Sequence, residues 1–133
     1  MSSRILVIND DQSILDLFRL LLEAEGYQVI LSKVAYEDVQ EIEHLHPALI
    51  ILDFKIGQHN LGWTLLQKLK MYPPTKDIPL ILCTAALTEV REQEEALRQK
   101  GIPLIYKPFE IDELLQVIQQ CLPPPSLKVV GHS

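Results

Sequence analysis

The chain has 133 residues, with 12 lysines and arginines against 18 aspartates and glutamates, a formal charge of −6. That length fits one ordinary domain, and an apolar content of 47% supplies a core, which excludes wholesale disorder. The acidic balance argues against a nucleic-acid surface that works by basic charge, and apolar runs such as Ala48 to Leu52 fall far short of the roughly 20 residues of a membrane span.

In chain order, Ile5 to Ile8 is a short β-branched run between polar residues and reads as a buried strand. Apolar positions then recur at Ile14, Leu15, Leu17, Phe18, Leu21 and Leu22, which is helical spacing, and Gly26 is the stop signal. Tyr27 to Leu31 reads as a strand and Val34 to Leu45 as an acidic helix with a thin apolar stripe. Ala48 to Leu52 is apolar at every position, so both faces of this third strand are expected to be covered. Leu61 to Met71 reads as a helix ended by Tyr72, Pro73 and Pro74. Ile78 to Cys83 is the fourth strand. Thr88 to Lys100 reads as one charged helix anchored by Val90, Ala96 and Leu97 and ended by Gly101. Pro103 to Tyr106 is the fifth strand and Ile111 to Leu122 the last helix. Strands alternating with helices predict a three-layer α/β domain with a five-stranded parallel sheet and right-handed crossovers. The domain is expected over residues 1–122, with a flexible tail over 123–133 that begins at Pro123, Pro124 and Pro125.

In such sheets, ligands bind beyond the carboxyl ends of the strands. Strand one ends in Asn9, Asp10 and Asp11, strand three in Asp53, strand four in Thr84 and strand five in Lys107. Crowded carboxylates need counter-charge. Lys107 supplies one positive charge. Oxygen ligands without Cys or His favour a hard divalent ion, magnesium above all. A phosphoryl group would be held between that ion, Lys107 and the Thr84 hydroxyl, which leaves Asp53 as the nucleophile. Taken singly these residues are unremarkable, since either Asp10 or Asp11 would serve as the cap of the first helix. Only the four strand ends taken together point to this chemistry.

The chain resembles the receiver domains of bacterial response regulators. The matching pieces are Val-Ile-Asn-Asp-Asp (7–11), Leu-Asp-Phe (52–54), Cys-Thr-Ala (83–85) and Tyr-Lys-Pro-Phe (106–109), and the resemblance covers residues 4–122. It implies the flavodoxin-like strand order 2-1-3-4-5. It also implies a phosphorylation-controlled switch in a two-component phosphorelay. Asp53 resembles the phosphoacceptor, charged by the phosphohistidine of a histidine kinase or a phosphotransfer protein. Asp11 resembles a direct magnesium ligand, Asp10 one acting through water, and the Lys55 backbone carbonyl a third protein ligand. Thr84 and Lys107 resemble the switch pair. The face formed by residues 88–122 resembles an output surface for a downstream partner or a homodimer.

The chain departs from the family at several points. Relatives usually carry proline where Gly57 stands, and the run Gln58, His59, Asn60, Leu61, Gly62 is one residue longer than usual. Lys55 is unusual so close to the phosphoacceptor. Leu104 stands where relatives place a switch aromatic; Tyr106, two residues on, shares its strand face and is a candidate replacement. His44, His46 and His59 are read as solvent residues, Trp63 as packing at the start of its helix, and Arg91 to Glu95 as a solvated helix face. Cys83 and Cys121, and the absence of a signal-peptide pattern at the N-terminus, fit reduced thiols in a cytoplasmic protein. The expected activity is self-catalysed aspartyl phosphorylation rather than enzymatic turnover. The rivals are a phosphorylation-independent interaction module of the same fold and an aspartyl-nucleophile phosphohydrolase. Lys55 argues against the second, because those enzymes place an acid there.

Overall fold

The computed structural model describes residues 3–57 and 59–122. The expected tail over 123–133 lies outside them. The elements run β1 (Arg4–Ile8), α1 (Gln12–Ala24), β2 (Gln28–Ser32), α2 (Val39–Leu45), β3 (Leu49–Leu52), α3 (Leu61–Met71), β4 (Leu80–Ala85), α4 (Thr88–Arg91), α5 (Glu94–Gln99), β5 (Leu104–Lys107) and α6 (Ile111–Cys121). The five strands form one parallel sheet in the order β2-β1-β3-β4-β5.

The continuous apolar strands follow from burial on both faces. Ile5 and Val7 of β1, with Leu49 and Ile51 of β3, pack under α1 and α6 against Leu15, Phe18, Leu22, Leu114 and Ile118. Leu6, Ile8, Ile50 and Leu52 face the opposite way, toward Ile42, Leu65, Leu66, Leu69, Val90 and Leu97. Each such Leu or Ile contributes about 1.5–3 kcal/mol by leaving water.

Helix α1 stops as its sequence predicts. Gly26 takes φ of 91°, and the Gly26 and Tyr27 N–H groups donate to the Glu23 and Leu22 carbonyls. This closes the last turn in the glycine-dependent manner expected.

Two expected helices differ. The acidic helix begins at Val39 rather than Val34, because the Asp38 carboxylate accepts the Gln40 N–H at 2.9 Å and caps it there. The expected helix over 88–100 is two pieces, α4 and α5, interrupted at Glu92 and Gln93. Its buried anchors, Val90 and Leu97, are two turns apart, so no buried side chain holds the middle turn to the core. Among the described residues no helix is long and apolar enough to cross a membrane.

Candidate functional site at the carboxyl rim of the sheet

The ends of β1, β3 and β5 meet at Asp53, through Asn9 and Lys107. Asp53 follows β3, and its main-chain N–H donates to the Ile8 carbonyl at 3.2 Å, tying it to the end of β1. The Asp53 side chain is nearly buried. Lys107 Nζ donates to Asp53 Oδ2 at 2.9 Å. Asn9 Nδ2 donates to the same oxygen at 3.4 Å, and the Lys55 N–H to Oδ1 at 3.3 Å. A largely desolvated carboxylate thus carries one ammonium and two neutral donors, which offset the cost of its burial.

The acidic pair is held separately. Asp11 caps α1, its Oδ1 accepting the Ser13 N–H at 2.9 Å, and its own N–H donates to Asn9 Oδ1 at 2.9 Å. Asp11 therefore fills the capping role that either aspartate could have taken. Asp10 Oδ2 accepts the Gly57 N–H at 2.8 Å. Both aspartates are exposed.

Thr84, at the end of β4, is 1% exposed, and its Oγ1 is the single buried side-chain polar atom without a partner among the described residues. A buried hydroxyl left so is costly, and on this rim it is free to hydrogen-bond an anionic group held beside Lys107. Cys83 beside it is inert: burial pushes its thiol up to about 12, against a lowering influence of Lys107. The Lys107–Pro108 bond is cis.

Among the described residues no three His, Cys, Asp or Glu side chains stand close enough to form a ready-made metal site. The all-oxygen donors of Asp10, Asp11 and Asp53 fit a magnesium ion that keeps much of its water and uses few carboxylates. They do not fit an all-protein cage. The Lys55 side chain is exposed and forms no ion pair among the described residues. His59 contributes its carbonyl, which accepts the Ile56 N–H at 3.1 Å, and His46 ends α2 in the left-handed conformation.

The sequence places Asn9 on the rim and singles out Tyr106, but three sets of contacts are not legible in it. Asn9 bridges Asp11 and Asp53. Gly62, at the start of α3, lies so close to the Asp53 backbone that a Cβ would stand 1.6 Å from its carbonyl oxygen. Beside it the Trp63 N–H donates to the Phe54 carbonyl at 3.0 Å, and the Trp63 and Phe54 rings stack at 5.3 Å. The third is the Tyr106 hydroxyl, which donates to Glu94 at the start of α5. The Arg91 guanidinium, at the end of α4, lies 5.2 Å from the centre of the Tyr106 ring. Arg91 and Glu94 are therefore engaged with Tyr106 rather than only solvated. Tyr106 and Thr84 are register partners across β4 and β5. Leu104 packs on the same side of the sheet as Tyr106.

Comparison with known proteins gives a consistent result. The family model for the response regulator receiver domain matches residues 5–119. The chain is 31% identical over 119 residues to the "DNA-binding dual master transcriptional regulator RpaA" of Synechocystis, covering 90% of this chain but 48% of that protein. It is 28% identical over 123 residues to the polar-differentiation response regulator DivK of Brucella ovis, covering 92% of this chain and 98% of that one. The crystal structure of a CheY-like response regulator receiver domain protein from Methanospirillum hungatei superposes with a TM-score of 0.75 at 30% identity, over 90% of this chain and 93% of that one. With its strand order, strand-end residues and matched span in agreement, the chain belongs to the response regulator receiver domain family.

Proposed function

We propose that the protein is a phosphoacceptor switch of a two-component phosphorelay, working in the cytoplasm. The observation that carries this reading is the pairing of a nearly buried Asp53, held by Lys107, with the orphaned Thr84 hydroxyl on the same rim. An Asp53 oxygen attacks the phosphorus of a phosphohistidine on a histidine kinase or phosphotransfer protein. The P–N bond breaks as the P–O bond forms, and the imidazole leaves as a neutral ring after taking a proton from solvent. Asp10, Asp11, Asp53 and the Lys55 carbonyl would hold magnesium, which neutralises charge on the phosphoryl oxygens when bound. Lys107 exchanges its carboxylate partner for a phosphoryl oxygen, and the Thr84 hydroxyl gains the acceptor it lacks. These two contacts supply the differential affinity that any population shift requires.

A cavity of about 530 Å³ beside Lys107, lined by Ile14, Leu17, Pro108, Phe109 and Ile111, offers the phosphodonor protein an apolar foothold next to the site. Thr84 reaches the distant face through its register partner Tyr106 and the Glu94 and Arg91 contacts across the α4–α5 break. The 88–122 face then meets a downstream partner or a second copy. Nothing in this cycle makes the protein a turnover enzyme.

Intact mass after incubation with acetyl phosphate tests the chemistry. The expected result is a magnesium-dependent gain of one phosphoryl group that Asp53→Asn abolishes. No gain in the wild type would assign the chain to the phosphorylation-independent interaction modules.

A further inference from the structure

The turn after Asp53 is tied to the acidic pair by a single main-chain bond. Gly57 sits in the left-handed region at φ +69°, and its N–H donates to Asp10 Oδ2 at 2.8 Å across 47 residues of sequence. The turn is closed on its other side by the Ile56 N–H to His59 carbonyl bond at 3.1 Å. It is anchored by the Ile56 side chain, which is buried in the core. Asp10 is otherwise an exposed carboxylate at the end of β1, in an acidic group whose rim also carries the unpartnered, buried Thr84 hydroxyl. This charge-assisted bond engages Oδ2 and leaves Oδ1 without a partner among the described residues. The donor is available only because the backbone turns left-handed at Gly57, a conformation glycine adopts without strain.

We propose that Gly57 is a positioning residue for the cation site: its N–H holds Asp10 in the orientation that receives magnesium, so metal binding and the turn at Ile56 and Gly57 stabilise each other. The inference rests on the magnesium-dependent reading of the rim given above. Linkage makes the coupling reciprocal. Whatever affinity the closed turn lends to magnesium, magnesium returns as protection of the turn.

Two measurements on the full chain test this, with magnesium chloride as the probe and no phosphodonor. The first is magnesium titration followed by the fluorescence of Trp63, the chain's one tryptophan, which stacks on the residue after Asp53. Gly57→Ala keeps the N–H but disfavours the turn, and it should weaken magnesium binding by about fivefold. Gly101→Ala is the control. Gly101 has φ of +74° and open space around it, so the backbone penalty is similar. It lies at the end of α5, away from the rim, and magnesium affinity should be unchanged. The second measurement is hydrogen exchange of the Gly57 amide in the wild type, which should slow when magnesium is added.

Equal magnesium affinity in Gly57→Ala and wild type, tighter binding in Gly57→Ala, or a Gly57 amide indifferent to magnesium would overturn the positioning role while leaving the phosphoacceptor reading intact. A wild type that neither responds to magnesium nor gains a phosphoryl group would remove both.

Discussion

The two faces of the sheet are built differently. On one, α1 and α6 run unbroken for 13 and 11 residues over a core that includes Phe18, Leu22, Leu114 and Ile118. On the other, beside α3, the helices are short: α2 has 7 residues, α4 has 4 and α5 has 6. The interrupted pair α4–α5 is held by Val90, Leu97 and the Tyr106 contacts. Local opening free energies follow packing of this kind. In the proposed switch, the first face would be the platform that positions Lys107 and Asp11. On the second, the interrupted α4–α5 pair would be the part that a new charge at Asp53 moves. A switch needs both, and this fold separates them across a single sheet.

Truncating one buried leucine on each face tests the contrast most severely. Leu114→Ala in α6 should cost about 3–4 kcal/mol in urea unfolding and raise exchange throughout the domain. Leu97→Ala in α5 should cost less and raise exchange mainly over 88–100. Equal effects on both readouts would remove the distinction between platform and moving face. A second substitution sharpens it at the junction of site and scaffold. Gly62→Ala would place a methyl group against the Asp53 carbonyl. It should cost about 3 kcal/mol by overpacking and slow phosphorylation, because Asp53 must shift.

Smaller effects are expected at Tyr106. Burial, together with the Glu94 hydrogen bond, pushes its phenol up to about 12 from an ordinary 10.0, with Arg91 opposing. The folded state thus keeps a proton that the unfolded state loses first. The stability this gives is fully present below pH 10 and is lost as pH rises through about 12. Tyr106→Phe should lower stability by about 1 kcal/mol at neutral pH and flatten the alkaline decline, both readable from thermal melts. If the decline keeps its slope in Tyr106→Phe, other groups cause it.

Much of this was legible in the sequence, for identifiable reasons. The strands β1, β3 and β4 appear because both of their faces are buried and their apolar runs are continuous; the half-buried edge strands β2 and β5 appear as shorter apolar runs, and the ends of all five move by one or two residues. Asp53, Thr84 and Lys107 were legible because a strand end fixes their place on the rim. The break between α4 and α5 was not, because Val90 and Leu97 fall on one helical stripe and periodicity cannot see an interrupted turn between them. The start of α2 was misplaced because the stripe extends past the cap at Asp38. Gly62 and Asn9 act through contacts with residues distant in sequence. The Gly57 donor is a main-chain atom whose partner no residue type announces.

Hydrogen exchange on wild type and Asp53→Asn, each with magnesium and with or without acetyl phosphate, would show whether a phosphoryl group at Asp53 moves the α4–α5 face. Protection should change in the wild type over residues 56–60 and 84–107, with α1 and α6 nearly unaltered, and should not change in Asp53→Asn. Unchanged exchange over 84–107 in a protein shown by mass to be phosphorylated, or the same change in Asp53→Asn, would contradict this.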